Sequence, residues 1–132
     1  MTTPPDLRSP MVLMVEDEEE TARAVRAHLE QAGYQVLHAK DGLSAQNLID
    51  TMPPPDLILL AVRLPHLNGF DLLTYLKQQA GWEQVPIVMM AADESHQAVT
   101  RAIEQGVKDY VLKPFDPQQL TVRVGRLLKL LT

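Results

Sequence analysis

Apolar residues along this chain fall into two alternating patterns. Short uninterrupted runs, such as Met11-Val-Leu-Met-Val15, Leu57 to Leu60 and Val85-Pro-Ile-Val-Met-Met-Ala91, read as strands buried on both faces. Between them, apolar positions recur every three to four residues, the spacing of a helix with one buried face. After the first strand, Asp17 or Glu18 is placed to cap a helix running to about Ala32, with Ala22, Val25, Leu29 and Ala32 inside and Gly33 as its stop. Tyr34 to Ala39 is a second strand. Asp41-Gly42 turns into a helix holding Ala45, Leu48, Ile49 and Met52, and Pro53-Pro54-Pro55 ends it.

The third strand spans Asp56 to about Leu60. Asn68-Gly69 leads into a helix carrying Phe70, Leu73 and Leu76, and the fourth strand is Val85 to Ala91. A helix from about Ser95 to Gln105 follows, with Val99, Ala102 and Ile103 inside and Gly106 as its stop. Asp109 to Leu112 is the fifth strand. Pro117 opens the last helix, whose stripe is Leu120, Val124, Leu127, Leu128 and Leu131. Strands alternating with helices, each strand apolar throughout, predict an α/β fold: one five-stranded parallel sheet with right-handed crossovers and helices on both faces. The natural strand order is flavodoxin-like, 2-1-3-4-5. Residues 1–10, with Pro4, Pro5 and Pro10, read as a loose tail, and 11–132 as one domain.

Composition narrows the function. A formal net charge of -5 weighs against non-specific nucleic-acid binding, which requires a basic face. No segment reaches the ~20 apolar residues of a membrane span, and none has the pattern of a signal peptide, so a cytoplasmic location is expected. The absence of cysteine excludes disulfides and thiolate metal sites.

The candidate chemistry lies at the carboxyl ends of the strands, where open α/β sheets place their sites. Glu16-Asp17 follow the first strand, Ala61 with Pro65 and Asn68-Gly69 the third, Ala91 closes the fourth, and Lys113-Pro114 follow the fifth. From Met11 to Leu131 this set resembles the receiver domain of two-component response regulators, of the chemotaxis-regulator type. The resemblance implies that Glu16 and Asp17 hold Mg2+, that Lys113 contacts a phosphoryl group and precedes a cis peptide bond, and that Tyr110 is an aromatic switch residue. It also implies an aspartate phosphoacceptor where this chain has Ala61, and a phosphoryl-sensing hydroxyl where it has Ala91. Two linked positions are therefore vacant, since an acyl phosphate needs a carboxylate nucleophile and the hydroxyl serves only to sense its product.

The same residues have plainer readings. Glu18, Glu19 and Glu20 suit a solvated helix start facing the helix dipole. His28, His38, His66 and His96 share no ligand spacing and read as surface groups. Trp82 fits either an exposed contact or a lid over the third helix. Asp56 sits at the far end of the third strand, while Asp93 and Glu94 lie in the loop after the fourth.

The expected function is an atypical receiver of two-component signal transduction: not an enzyme, but a phosphorylation-independent module for protein interaction or dimerisation. One alternative is an active phosphoacceptor using a substitute carboxylate. Another is an engineered inactive form of an ordinary receiver. A flavodoxin-like cofactor binder is disfavoured because the acidic loop 16–20 repels phosphate. No cofactor is expected, and Mg2+ binding should be weak at best. Expected partners are a histidine kinase or other signalling protein, an output domain, and a second copy through the face of the fourth helix, fifth strand and fifth helix. The segment 116–123 resembles receivers that dimerise there through charges. Arg101, Glu104, Asp109 and Arg123 match in type, whereas Lys108 departs from the pattern. With no aspartate opposite it, Lys113 should pair with Asp17 or Glu16.

Overall fold

The computed structural model describes residues 9–130. Its elements are β1 (Met11–Val15), α1 (Glu19–Gln31), β2 (Gln35–Ala39), α2 (Gly42–Thr51), β3 (Leu57–Ala61), α3 (Gly69–Lys77), β4 (Ile87–Ala91), α4 (His96–Glu104), β5 (Asp109–Leu112) and α5 (Pro117–Leu130). The strands form one parallel sheet in the order β2-β1-β3-β4-β5. Alternation along each strand sorts the core into two layers. Leu13, Val15, Ile58, Leu60, Ile87 and Met89 pack with α2, α3 and α4. Val12, Met14, Leu57, Leu59, Ala61, Val88, Met90 and Val111 pack with Ala22, Val25 and Leu29 of α1 and Leu120, Val124 and Leu128 of α5.

Several sequence expectations need correction. Ile103 is 60% exposed, and Ala102 takes the buried position on α4. One residue turns a helix by about 100°, so Ile103 cannot share the row of Val99 and Ala102 fully. Ala32 is exposed as the residue following α1. β4 begins at Ile87 because Val85 is held in a turn, its N–H donating to the Trp82 carbonyl, and Pro86 has no N–H to give the ladder. Trp82 is an inner residue, 3% exposed, packed among the side chains beneath α3. Leu131 and the proline-rich start, residues 1–8, lie outside the described residues.

Two loops are shaped by close approaches. A Cβ on Gly69 would lie 2.3 Å from the Ala61 carbonyl oxygen, so only glycine lets α3 begin against the end of β3. The Gly69 N–H donates to the Val62 carbonyl at 2.7 Å. In the same loop His66 adopts φ 71°, the left-handed region that costs a side-chain-bearing residue. Asn68 caps α3 by accepting from the Asp71 N–H, as Asp41 caps α2 by accepting from Ser44.

Candidate functional site

β1 delivers the first functional side chain. Val12 and Met14 face the α1/α5 layer, and Glu16 continues that alternation one step past the strand. Its backbone N–H is fixed to the Ala39 carbonyl at 3.0 Å. β5 delivers the second in the same way: Val111 faces the same layer, and Lys113 follows two residues later with its N–H on the Ala91 carbonyl at 2.8 Å. The Lys113–Pro114 bond is cis, as the resemblance implied.

The two side chains meet. Lys113 Nζ lies 2.6 Å from Glu16 Oε1 and 2.9 Å from Glu18 Oε1. It donates its hydrogen bond to Glu18, and Glu16 Oε1 accepts none, so the ammonium compensates that buried oxygen as a charge. Glu16 is fully buried; its other oxygen accepts from the Glu18 N–H at 3.2 Å. Burial pushes the Glu16 carboxyl above its ordinary pKa, and the Lys113 contact offsets this only in part. For Lys113, burial opposes the charge, but contacts with Glu16 and then Glu18 outweigh it and hold its pKa above the ordinary value.

The pairing corrects one expectation in detail. Lys113 takes Glu16, as anticipated, but its second partner is Glu18 and not Asp17, which is exposed and enters no ion pair among the described residues. Glu18 had been assigned to a solvated helix start. It is the residue before α1, yet its side chain makes no capping hydrogen bond and turns to Lys113 instead. A glutamate at a position that favours Ser, Thr, Asp or Asn was the signal in the sequence. His38 was missed as well. It is half-buried, and its Nε2 lies 2.8 Å from the Glu16 carbonyl oxygen, tying β2 to the same corner.

Of the remaining predicted residues, some flank this corner and others lie away from it. Ala61 and Ala91 are 1% and 5% exposed at the ends of β3 and β4 and present only methyl groups. Beside them a cleft of about 540 Å3 runs between Asp17, Glu18, Arg63, Asp93 and Lys113. Asp93 is engaged by the Ser95 N–H, which with its hydroxyl lowers the carboxyl's pKa. Asp56 is committed at the other end of the sheet, where it accepts from the Met11 N–H at 2.7 Å. Tyr110 is half-buried, and its hydroxyl donates to the Asp93 carbonyl at 2.6 Å. Burial raises its pKa. Asp109 pairs with Arg123 within the chain at 3.6 Å, while the Arg101 guanidinium lies 4.0 Å over the Phe70 ring.

These residues do not fit a divalent ion. The buried carboxylate is already faced by an ammonium, and Ala61 supplies no oxygen. Of the two acids expected to hold the ion, only Asp17 stays outside the ion pairs formed among the described residues, too little for the near-octahedral oxygen shell of Mg2+. No group of three or more His, Cys, Asp or Glu side chains among the described residues is arranged to hold a metal.

Residues 12–125 match the family model described as response regulator receiver domain. The chain belongs to that family. This receiver is 36% identical over 118 residues to the phosphate regulon transcriptional regulatory protein PhoB of Escherichia coli strain K12, covering 89% of this chain and 51% of that protein. It spans about half the length of the curated relatives it matches. The receiver domain of the Francisella response regulator 1452 superposes with a TM-score of 0.86 at 30% identity, covering 94% of this chain and all of that one. The receiver domain of sensor histidine kinase PA1611 from Pseudomonas aeruginosa PAO1, solved with a magnesium ion coordinated in its active-site cleft, gives 0.81 at 27% identity, over 92% of this chain and 98% of that one. Receivers are modules of two-component signalling, and the parallel sheet in order 2-1-3-4-5 found here is theirs. Among the described residues no helix is long and apolar enough to cross a membrane.

Proposed function

We propose that this receiver is a pseudo-receiver: it keeps the signalling fold and its interaction surfaces but works without aspartyl phosphorylation. The observation that carries the reading is Ala61, a buried methyl group at the end of β3 where the family's reaction requires a carboxylate. Ala91 supports it, since no hydroxyl stands at the end of β4 to sense a phosphoryl oxygen. Of the acids weighed as substitutes, Asp56 is at the wrong end of the sheet and Asp93 accepts from the Ser95 N–H. Lys113, the residue that would meet the phosphoryl group, is occupied by Glu16 and Glu18.

Its role is then protein recognition, with a histidine kinase or other signalling protein, an attached output domain, or a second copy as partner. The α4–β5–α5 face supports this, for Ile103 and Leu112 are exposed there beside the Asp109–Arg123 pair. Intact-mass spectrometry after incubation with acetyl phosphate and Mg2+ tests the reading. The native chain should show no added phosphoryl group, and Ala61→Asp should restore labelling. A stable phosphoryl adduct on the native chain would establish the active-phosphoacceptor alternative instead.

A further inference from the structure

The vacancy at Ala61 has a counterpart in what fills the pocket beside it. We propose that Lys113 is the resident cation of the acidic pocket: its ammonium takes the carboxylate oxygens a divalent ion would need, so the β1–α1 and β5–α5 junctions are tied together without Mg2+. This goes beyond the reading of phosphorylation, because it concerns the cation alone.

Three independent features carry it. First, Glu16 is fully buried and Lys113 is 17% exposed at its side chain, so their 2.6 Å contact is shielded from solvent and is the charge compensation that buried oxygen has. Second, Glu18 gives up the capping of α1 to close the other side of the same ammonium at 2.9 Å. The residue before α1 thus makes no capping hydrogen bond and instead bridges to a residue 95 positions away. Third, the Lys113 backbone is anchored, its N–H donating to the Ala91 carbonyl at 2.8 Å, so the side chain starts from a fixed point at the end of β5 beside the acidic corner.

For Mg2+ to enter, it must break both contacts, strip waters it holds strongly, and accept a shell to which residue 61 contributes nothing. The ammonium needs none of this, since it is covalently delivered by β5. The related PA1611 receiver coordinates magnesium in its cleft; here the same fold supplies its cation from within the chain.

The test is a titration with Mn2+, following free ion by electron paramagnetic resonance, on the native chain and on Lys113→Met. The native chain should show no saturable site in the low millimolar range. Lys113→Met should bind roughly tenfold more tightly or better, a change of about 1.4 kcal/mol. Mg2+ should displace the bound ion, and the gain should vanish in the double variant with Glu16→Gln. Equal binding by native and Lys113→Met chains overturns the proposal. If circular dichroism shows Lys113→Met to be unfolded, the native chain decides. Its melting temperature should be unchanged by Mg2+ at matched ionic strength, and a rise that saturates with Mg2+ overturns the proposal. Phosphoryl transfer enters neither arm, so failure here leaves the pseudo-receiver reading standing, and the reverse.

Discussion

Ala61, Glu16 and Lys113 form one chemical statement at the scale of single residues. Alanine at the end of β3 offers Lys113 no carboxylate. A buried ammonium must be compensated, so it turns to the carboxylates on β1's side of the cleft. The two partners are unequal. Glu18 is 60% exposed at its side chain, so Glu18→Ala should lower stability by no more than about 0.5 kcal/mol. Lys113→Met leaves Glu16 uncompensated in the interior and should cost about 3 kcal/mol. Urea unfolding of the two variants checks the contrast, and equal losses would show that Glu16 is not a buried charge. His66 makes a second residue-scale case. Its φ of 71° strains any side chain, so His66→Gly should stabilise the fold by roughly 0.5 kcal/mol, despite the greater chain entropy of glycine when unfolded. A rise in melting temperature is the expected result.

Among the elements, α2 shows how a titrating cap holds a helix and α4 how little apolar surface can anchor one. α2 begins at Asp41, whose carboxylate accepts from the Ser44 N–H at 2.7 Å, and that bond holds its pKa below the ordinary value of 3.8. A depressed carboxyl contributes stability that is complete above the unfolded-state pKa and is lost as pH falls through the folded one. Asn caps comparably without titrating. The acid side of the melting curve should therefore be shallower in Asp41→Asn than in the native chain, as scanning calorimetry across that range would show. α4 has one fully buried residue, Ala102, and an exposed Ile103, so it is anchored by little apolar surface. Amide exchange should be faster along α4 than along α1, which buries Ala22, Val25 and Leu29.

On the scale of the whole molecule, the ion cluster joins the start of α1 to the loop before α5, and Tyr110 joins β5 to the β4–α4 loop through the Asp93 carbonyl. In phosphorylated relatives a covalent group biases such a surface between two states; on the proposed pseudo-receiver reading no such reaction sets the bias here. The distribution of monomer and dimer should therefore be the same with and without acetyl phosphate and Mg2+ in sedimentation velocity runs. A shift toward dimer on adding the phosphodonor would contradict the pseudo-receiver reading.

The strands, the helices and their buried faces were legible in the sequence because they rest on local periodicity, while the strand order followed from the flavodoxin-like fold expected of such alternation. Strands buried on both faces must be apolar throughout, as Leu57 to Leu60 are, and helices must repeat their inner row, as Ala22, Val25 and Leu29 do. That alanine stands at 61 and 91, where the resemblance implies a carboxylate and a hydroxyl, is read from the sequence; the structure adds that both are buried at the strand ends. Which acid Lys113 would choose was not. Asp17 and Glu18 are neighbours in the chain, and only the path of the backbone from β1 into α1 leaves Asp17 facing outward while Glu18 reaches across to the β5 loop. The burial of Trp82, the exposure of Ile103 and the contact of His38 with Glu16 were likewise decided by packing between distant elements. Periodicity fixes which face of an element is apolar; the distance between two side chains 95 residues apart is fixed only when the sheet brings their strand ends side by side.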